Sequence, residues 1–283
     1  MTTAKTDPQR PRAESALSIA LALFMLLQSV SGRLFPGAYR DVEWIKATWF
    51  GNDFVTMLVV VPLLVVSLLL LRRGSHRARL VWLGTLGYGA YNYAYYLLGA
   101  ALNAFFPLYV FAFLLAVAAL IIGLAGSDIS SLASGFSSRT PVRAIGGYYV
   151  FVATGLSIVW FGMWAAYIFA GRPTPVETEA FKLVAALDTA LIVPALALGG
   201  VLLWSKIGWG YVIAPAAGTL ASLYLLVLSL NSGVAVMSGA VDGPGELPLW
   251  GTLLLLTSGA TLLLLKAAGS AKTASFRLRA EKQ

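Results

Sequence analysis

The sequence predicts an all-α protein that crosses a membrane as a polytopic bundle of eight helices, and three observations predict it. Of the 283 residues, 59% are hydrophobic and only 11% are charged, whereas a soluble domain carries about a quarter charged residues. The apolar residues fall into eight stretches near the length of about 20 residues that a membrane span needs. The positive charge between these stretches falls on alternate loops, as expected of a chain that weaves through a bilayer.

The eight predicted spans follow one another with short polar links. Their boundaries are Ser15–Phe35, Phe50–Leu71, Leu80–Leu102, Ala104–Ala125, Gly146–Ala170, Phe181–Trp204, Trp209–Leu230 and Leu249–Leu265. Asn103 and Pro107 mark the break between the third and fourth spans, because proline disfavours helix in the residue before it. No soluble domain fits between the spans, so binding or catalysis must use the bundle or its loops.

Basic residues predict the side of the membrane on which each loop lies. The N-terminal tail, the links after the second, fourth and sixth spans, and the C-terminal tail carry 15 of the 20 lysines and arginines. Cytoplasmic segments are enriched in these residues, which predicts an inner-membrane protein with a cytoplasmic tail at 1–14, a bundle at 15–266 and a basic cytoplasmic tail at 267–283. A rival interpretation takes the first span, with small residues at Ser29–Gly32, as a cleaved signal peptide, which leaves seven spans.

The composition also limits the kinds of molecule that the protein is expected to bind. The net charge of +8 comes from basic residues that flank the spans, so the expected partners are the lipid bilayer and anionic lipid headgroups at the cytoplasmic face, and not nucleic acid. The chain has no cysteine and a single histidine, His76. A thiolate-ligated metal and a histidine-rich metal site are therefore excluded, and no cofactor is expected. The oligomeric state stays open.

The two halves of the bundle, residues 15–125 and 146–266, carry the same order of features. Each has Gly-Arg at the end of its first span, then an aspartate, a proline and a basic residue along its second span. These residues are Gly32-Arg33, Asp53, Pro62 and Arg72 in the first half, and Gly171-Arg172, Asp188, Pro194 and Lys206 in the second. Four spans in each half give both the same orientation, as in transporters with parallel repeats. The alternative is coincidence among apolar segments of low complexity.

Two aspartates are the first candidates for a site, because an ionisable residue inside a span is costly and is a functional candidate by default. Asp53 precedes Arg72 by 19 residues and Asp188 precedes Lys206 by 18, which predicts that both lie near the outer boundary of the hydrocarbon. Asn52 and Asp53 follow Gly51, so Asp53 is interpreted as a helix N-cap. Asp188 is either a ligand or proton site or half of a buried structural pair. Its expected partners are Tyr95, Tyr96, Asn92 and Arg33.

The third span carries an unusual number of tyrosines and forms the second candidate. Tyr88, Tyr91, Asn92 and Tyr95 follow the i, i+3, i+4, i+7 spacing of one helix face. Asn92, Tyr96 and Asn103 extend a neighbouring polar line towards the outside. Tyrosine hydroxyls need partners in a dry medium, so these residues either bond other helices or line a wet cavity.

Part of the chain resembles a group of uncharacterised bacterial multi-pass integral membrane proteins. The resemblance covers chiefly the second to fourth spans and rests on four stretches. They are Gly51-Asn-Asp-Phe-Val-Thr-Met-Leu-Val-Val-Val-Pro62, Arg73-Gly-Ser, Leu83-Gly-Thr-Leu-Gly-Tyr-Gly-Ala-Tyr-Asn-Tyr-Ala-Tyr and the segment from Asn103 to Tyr109. The resemblance implies a multi-pass membrane fold and no particular substrate.

The leading functional hypothesis is a small-solute or ion permease, or a binding protein, with an outward-facing polar cavity. The predicted lining is Asn52, Asp53, Tyr88, Asn92, Tyr95, Tyr96, Asn103 and Asp188. One alternative is a non-catalytic membrane subunit or sensor whose polar residues only hold the bundle together. The other is a lipid-modifying enzyme that uses the two carboxylates as acid and base, which ranks last because no nucleophile or metal set accompanies them.

Overall fold

The computed structural model describes residues 10–239 and 243–269, and within them eight long helices account for nearly all of the chain. The helices are α1 (Arg10–Leu34), α2 (Glu43–Leu71), α3 (His76–Gly99), α4 (Phe106–Ala125), α5 (Val142–Ala170), α6 (Thr178–Trp204), α7 (Gly210–Met237) and α8 (Leu247–Ala267). A short helix, Ile129–Ser134, lies in the link between α4 and α5. Of the predicted tails and loops, residues 1–9, Asp242 and residues 270–283 lie outside the described residues.

The prediction of an all-helical multi-pass membrane protein is confirmed. Each predicted span coincides with one long helix, and seven of these helices in the described residues are long and apolar enough to cross a membrane. Large apolar side chains on their outer surfaces are exposed, among them Phe151, Phe161 and Phe169 of α5, as a lipid environment requires. The eighth helix, α3, has 24 residues but falls outside those seven, because its tyrosines, glycines and Asn92 lower its hydropathy.

Helices α3 and α7 form the centre of the bundle. α3 packs against α2, α4 and α7, and α7 also packs against α6 and α8. Gly84 allows the close approach of α3 and α7, because a Cβ placed on it would lie 2.6 Å from the carbonyl oxygen of Ala216. The halves α1–α4 and α5–α8 also meet where α2 contacts α7 and where α3 contacts the start of α6.

Helices α2 and α6 share an irregular turn. A π-helical turn occupies Thr56–Val60 in α2 and Asp188–Ile192 in α6. Pro62 and Pro194 follow these turns as the second residue of the resumed α-helix. Proline lacks an N–H and crowds the preceding turn, and a π-turn is one way in which a helix accommodates such a break.

The interpretation of Asp53 as an N-cap is wrong. Helix α2 begins at Glu43, so Asp53 lies ten residues inside it. The residues before Phe50 were excluded from the predicted span because they include charged side chains, but Glu43 and Lys46 form an ion pair of 2.9 Å on successive turns of the helix. Asp53 is fully buried and needs partners other than its own helix end.

The end of the bundle that carries most of the basic residues is closed by polar contacts. Arg79 of α3 donates two hydrogen bonds of 2.8 Å to the carboxylate of Glu14 in α1 and a third, of 2.7 Å, to the carbonyl oxygen of Gly123 in α4. Arg77 donates to the carbonyl oxygen of Ala268 at 2.7 Å. These contacts hold the ends of α1, α3, α4 and α8 together.

Candidate functional site

Asp53 lies at the centre of a hydrogen-bonded cluster between α1, α2 and α3. Its Oδ1 accepts from Gln28 Nε2 at 2.9 Å and from the Tyr96 hydroxyl at 2.8 Å. Its Oδ2 accepts from the Tyr39 hydroxyl at 2.6 Å. The Tyr93 hydroxyl donates to Gln28 Oε1 at 3.0 Å and so extends the network. We call these five residues the Asp53 cluster.

The Asp53 cluster is tightly packed. Tyr96 stacks on Tyr109 with ring centroids 5.0 Å apart and on Trp49 at 4.7 Å. A Cβ placed on Gly32 of α1 would collide with both Asp53 and Tyr39. Every member of the cluster is buried, and the carboxylate accepts all three of its hydrogen bonds from protein groups.

Asp188 is held in a second cluster, between α3, α5, α6 and α7. Its Oδ1 accepts from the Tyr91 hydroxyl at 2.7 Å. Its Oδ2 accepts from Trp160 Nε1 at 3.0 Å and from the Tyr224 hydroxyl at 3.3 Å. We call these four residues the Asp188 cluster. Asp188 is 1% exposed, and the side-chain groups that bond its carboxylate are these three neutral donors.

The predicted partners of Asp188 are wrong. The structure uses Tyr91 on α3, one turn from the expected Tyr95. Tyr96 points to the opposite face of α3, where it bonds Asp53. Arg33 lies over the ring of Phe50 at 5.4 Å instead of pairing with an aspartate. Within the described ranges, neither Asp53 nor Asp188 forms an ion pair, so both carboxylates rely on neutral donors.

A partly enclosed cavity of about 80 Å³ lies beside the Asp188 cluster, between the first halves of α2 and α6 and the second halves of α3 and α7. We call it the central cavity. Its lining carries no charged side chain and consists of Thr48, Asn52, Tyr88, Tyr91, Asn92, Tyr95, Val184, Tyr224, Val227, Leu228 and Asn231. The Nδ2 of Asn92 is buried and has no hydrogen-bond partner. A buried amide without a partner is costly, which points to an occupant that accepts from it.

The predicted site residues therefore divide into three places. Asn52, Tyr88, Asn92 and Tyr95 line the central cavity, and Asp188 lies directly behind two of its walls. Asp53 and Tyr96 belong to the separate, tightly packed cluster. The Oδ1 of Asn103 accepts from Phe105 N at 2.8 Å, so Asn103 shapes the turn into α4.

Several residues of the two clusters and the cavity escaped the sequence reasoning. They are Gln28, Tyr39, Trp160, Tyr224 and Asn231. Gln28 did carry a signal, because an amide inside an apolar span needs a partner just as an aspartate does. Trp160 and Tyr224 gave none, because single aromatic residues are ordinary in membrane helices. Asn231 lies at the predicted edge of a span and was assigned to the following loop.

Comparison with known proteins adds no relative. Searches against protein-family models, curated proteins and solved structures found no match for this chain. Any functional inference therefore rests on the geometry of the central cavity and of the two clusters.

Proposed function

We propose that this protein is an eight-span membrane permease or binding protein for a small monovalent cation or a similarly small polar solute. The ligand enters the central cavity from the outer face of the membrane, and Asp188 supplies the balancing negative charge. The protein consists of two parallel four-helix repeats, and the cavity lies at their interface. The observation that carries the proposal is a partly enclosed polar cavity walled by the two tyrosines that bond Asp188, a buried carboxylate without an ion-pair partner among the described residues.

The burial of α3 supports eight spans in place of seven. Its 24 residues extend about 36 Å at 1.5 Å per residue, which exceeds the roughly 30 Å of a bilayer core. Its polar side chains are buried against other helices and do not face lipid: Tyr88, Tyr93 and Tyr96 are at most 1% exposed. A helix surrounded by others can cross the membrane with lower hydropathy than one in contact with lipid. With eight spans, the two termini lie on the same side, and the basic residues favour the cytoplasm.

A single shift of 132 residues supports the repeat. This shift is the difference between Pro194 and Pro62, and it also relates the π-turn Asp188–Ile192 to the π-turn Thr56–Val60. The same π-turn followed by proline thus recurs at one fixed spacing in the second helix of each half.

The contacts between the halves obey the same shift. Gly51 of α2 is in close contact with Asn231 of α7, and Gly99 of α3 is in close contact with Leu183 of α6. Under the shift of 132 residues, Leu183 is the counterpart of Gly51 and Asn231 is the counterpart of Gly99. The contact of Gly51 with Asn231 therefore corresponds to the contact of Leu183 with Gly99. Gly84 contacts Ala216, which is its own counterpart. If a two-fold rotation relates the two halves, a residue that touches its counterpart lies on the axis of that rotation. We call this axis the pseudo-two-fold axis.

The central cavity lies on this axis. Its lining contains three pairs of counterparts: Asn52 and Val184, Asn92 and Tyr224, Tyr95 and Val227. Binding sites at the interface of repeats are typical of transporters. The residues that line the cavity come from the start of α2 and α6 and from the end of α3 and α7, so the predicted topology makes it outward-facing. The polar contacts of Arg79 close the opposite end.

The chemistry of the cavity favours a small cation. Tyr91 and Tyr224 donate their hydroxyl protons to Asp188, which leaves their oxygens as acceptors towards the cavity. Tyrosine rings attract cations through their faces, and asparagine oxygens are good ligands for hard cations. A volume of about 80 Å³ is roughly half that of an engineered cavity that holds benzene, so the ligand has few heavy atoms.

A panel of salts tests the proposal. We expect ammonium, methylammonium, sodium or potassium chloride to raise the melting temperature of the purified protein relative to N-methylglucamine chloride of equal ionic strength, because a ligand stabilises the state that it binds. Asp188→Asn is expected to remove this rise. Glu179→Gln is the matched control, since Glu179 lies on the same helix but is exposed and pairs with Lys182.

Two outcomes would contradict the proposal. One is a melting temperature that no salt in the panel raises. The other is a rise that persists unchanged in Asp188→Asn. Uptake of the stabilising ion into proteoliposomes then separates a permease from a binding protein.

The alternative of a non-catalytic membrane subunit or sensor draws support from the Asp53 cluster. There the buried polar residues bond one another across three helices. For Asp53, Tyr96 and Asn103 we therefore favour a structural role within the proposed permease.

A further inference from the structure

A second cleft lies at the end of the bundle opposite the central cavity. It has a volume of about 660 Å³ and lies between the link before α5, the end of α6 and the start of α7. Its lining consists of Ala133, Phe136, Ser137, Ser138, Thr140, Pro141, Val142, Arg143, Ala144, Lys206 and Tyr211. Two of these residues are cationic and none is acidic, so the cleft attracts anions.

Both cations are free to receive a ligand. In the described part of the chain, neither Arg143 nor Lys206 forms an ion pair with an aspartate or glutamate. Lys206 also has a backbone φ of 56°, in the left-handed region where glycine is usual at the end of a helix. A lysine at such a position is strained. A strained residue beside a cleft indicates that its side chain is needed there.

The cleft lies at the depth of lipid headgroups. Trp204 and Trp209 flank Lys206 in the sequence and are 51% and 41% exposed. Tryptophans that face outward at helix ends are typical of the membrane–water boundary. The lining also contains the apolar side chains of Phe136, Val142 and Tyr211, so the cleft offers positive charge and apolar surface together.

We propose that this cleft binds the phosphate group of an anionic phospholipid. Arg143 and Lys206 contact the phosphate oxygens, and Ser138 and Thr140 belong to the same lining. Basic pockets at helix ends are a known way in which membrane proteins hold anionic lipids. The apolar part of the lining receives the glycerol backbone and the first acyl carbons, which a free phosphate ion lacks.

Thermal unfolding in mixed micelles tests this site. Phosphatidylglycerol is expected to raise the melting temperature by several degrees over phosphatidylcholine in the unmodified protein. Arg143→Gln with Lys206→Gln is expected to lose most of that rise. Arg72→Gln with Arg73→Gln is the matched control, because it removes two charges at the same end of the bundle but outside the cleft, and it should keep the rise.

Two further arms decide the source of the phosphate and the role of Lys206. If inorganic phosphate in phosphatidylcholine micelles raises the melting temperature as much as phosphatidylglycerol does, the lipid assignment is overturned. Lys206→Gly relieves the strained backbone, so it should be as stable as the unmodified protein or more stable in phosphatidylcholine, and yet respond less to phosphatidylglycerol. A full response in Lys206→Gly, or equal losses in both double variants, would overturn the site.

Discussion

The Asp53 and Asp188 clusters share a construction and differ in their surroundings. Each aspartate lies ten residues after the first residue of its helix, Glu43 in α2 and Thr178 in α6. Each accepts three hydrogen bonds from neutral donors. Yet the donors of Asp53 are enclosed by aromatic rings, whereas two of the donors of Asp188 are walls of a cavity. An equal number of hydrogen bonds therefore does not mean an equal role.

The proposed repeat accounts for part of this difference. Under the shift of 132 residues, the donors Gln28 and Trp160 are counterparts, but Asp188 corresponds to Thr56 and not to Asp53. The two carboxylates thus lie one helical turn apart along their equivalent helices. Tyr224 bonds Asp188, while its counterpart Asn92 has no carboxylate beside it and keeps a free amide. Under the proposed repeat, the two halves differ at the cavity, and the carboxylate lies on one side of it.

The largest expected effect belongs to Asp53→Asn. The new amide would direct N–H groups at one or more of the donors Gln28, Tyr39 and Tyr96 and leave them buried without an acceptor. We expect a loss on the order of 3 kcal/mol of unfolding free energy, because buried groups left unpaired cost about 1–3 kcal/mol each. Unfolding by sodium dodecyl sulfate measures it. A variant as stable as the unmodified protein would show that the cluster is not structural.

A somewhat smaller effect is expected for Gly51→Ala, because the new Cβ would collide with the side chain of Asn231. Overpacking of this kind costs roughly 1–3 kcal/mol. Gly51→Ala combined with Asn231→Gly should recover part of the loss. Gly155→Ala in α5 is the control, since nothing lies near its new Cβ. Gly99→Ala tests the equivalent contact, in which Gly99 lies against Leu183. If Gly99→Ala is harmless while Gly51→Ala is not, the proposed equivalence of the two helix contacts fails.

Asp188→Asn should cost less than Asp53→Asn. Tyr91 and Tyr224 can turn their hydroxyls towards water in the cavity, so we expect a loss of roughly 1 kcal/mol, near the low end for a lost buried partner. The same unfolding assay, run side by side with Asp53→Asn, gives the comparison. Equal losses in the two variants would remove the distinction between a structural and a ligand-binding carboxylate.

The smallest effect on stability is expected for Asn92→Leu. This change removes a buried amide that has no partner, so stability should stay within about 0.5 kcal/mol of the unmodified protein or rise. The stabilisation by cations should fall, because the cavity loses a polar wall. Chemical unfolding with and without methylammonium checks both statements. A large loss of stability would mean that Asn92 is bonded within the protein.

The sequence predicted the helices better than it predicted the site. All eight segments were found from apolar content, but the start of α2 was placed at Phe50 instead of Glu43, because charged residues paired along a helix look like a loop. For the site, the sequence revealed the types of the polar residues and their depth along each helix. It did not reveal which neighbouring helix each side chain faces. Tyr91 and Tyr96 are both buried tyrosines of α3, and only the packing of α6 and α2 against that helix decides which aspartate each one bonds.

The most direct test of the central claim is the accessibility of single cysteines in intact cells, which the absence of native cysteine makes clean. We expect an impermeant thiol reagent to modify Asn231→Cys at the cavity, and methylammonium to slow that reaction. Tyr93→Cys in the Asp53 cluster should stay unmodified, and Gly74→Cys should react only after the cells are permeabilised. Modification of Tyr93→Cys as fast as that of Asn231→Cys, or of Gly74→Cys in intact cells, would contradict an outward-facing cavity beside Asp188.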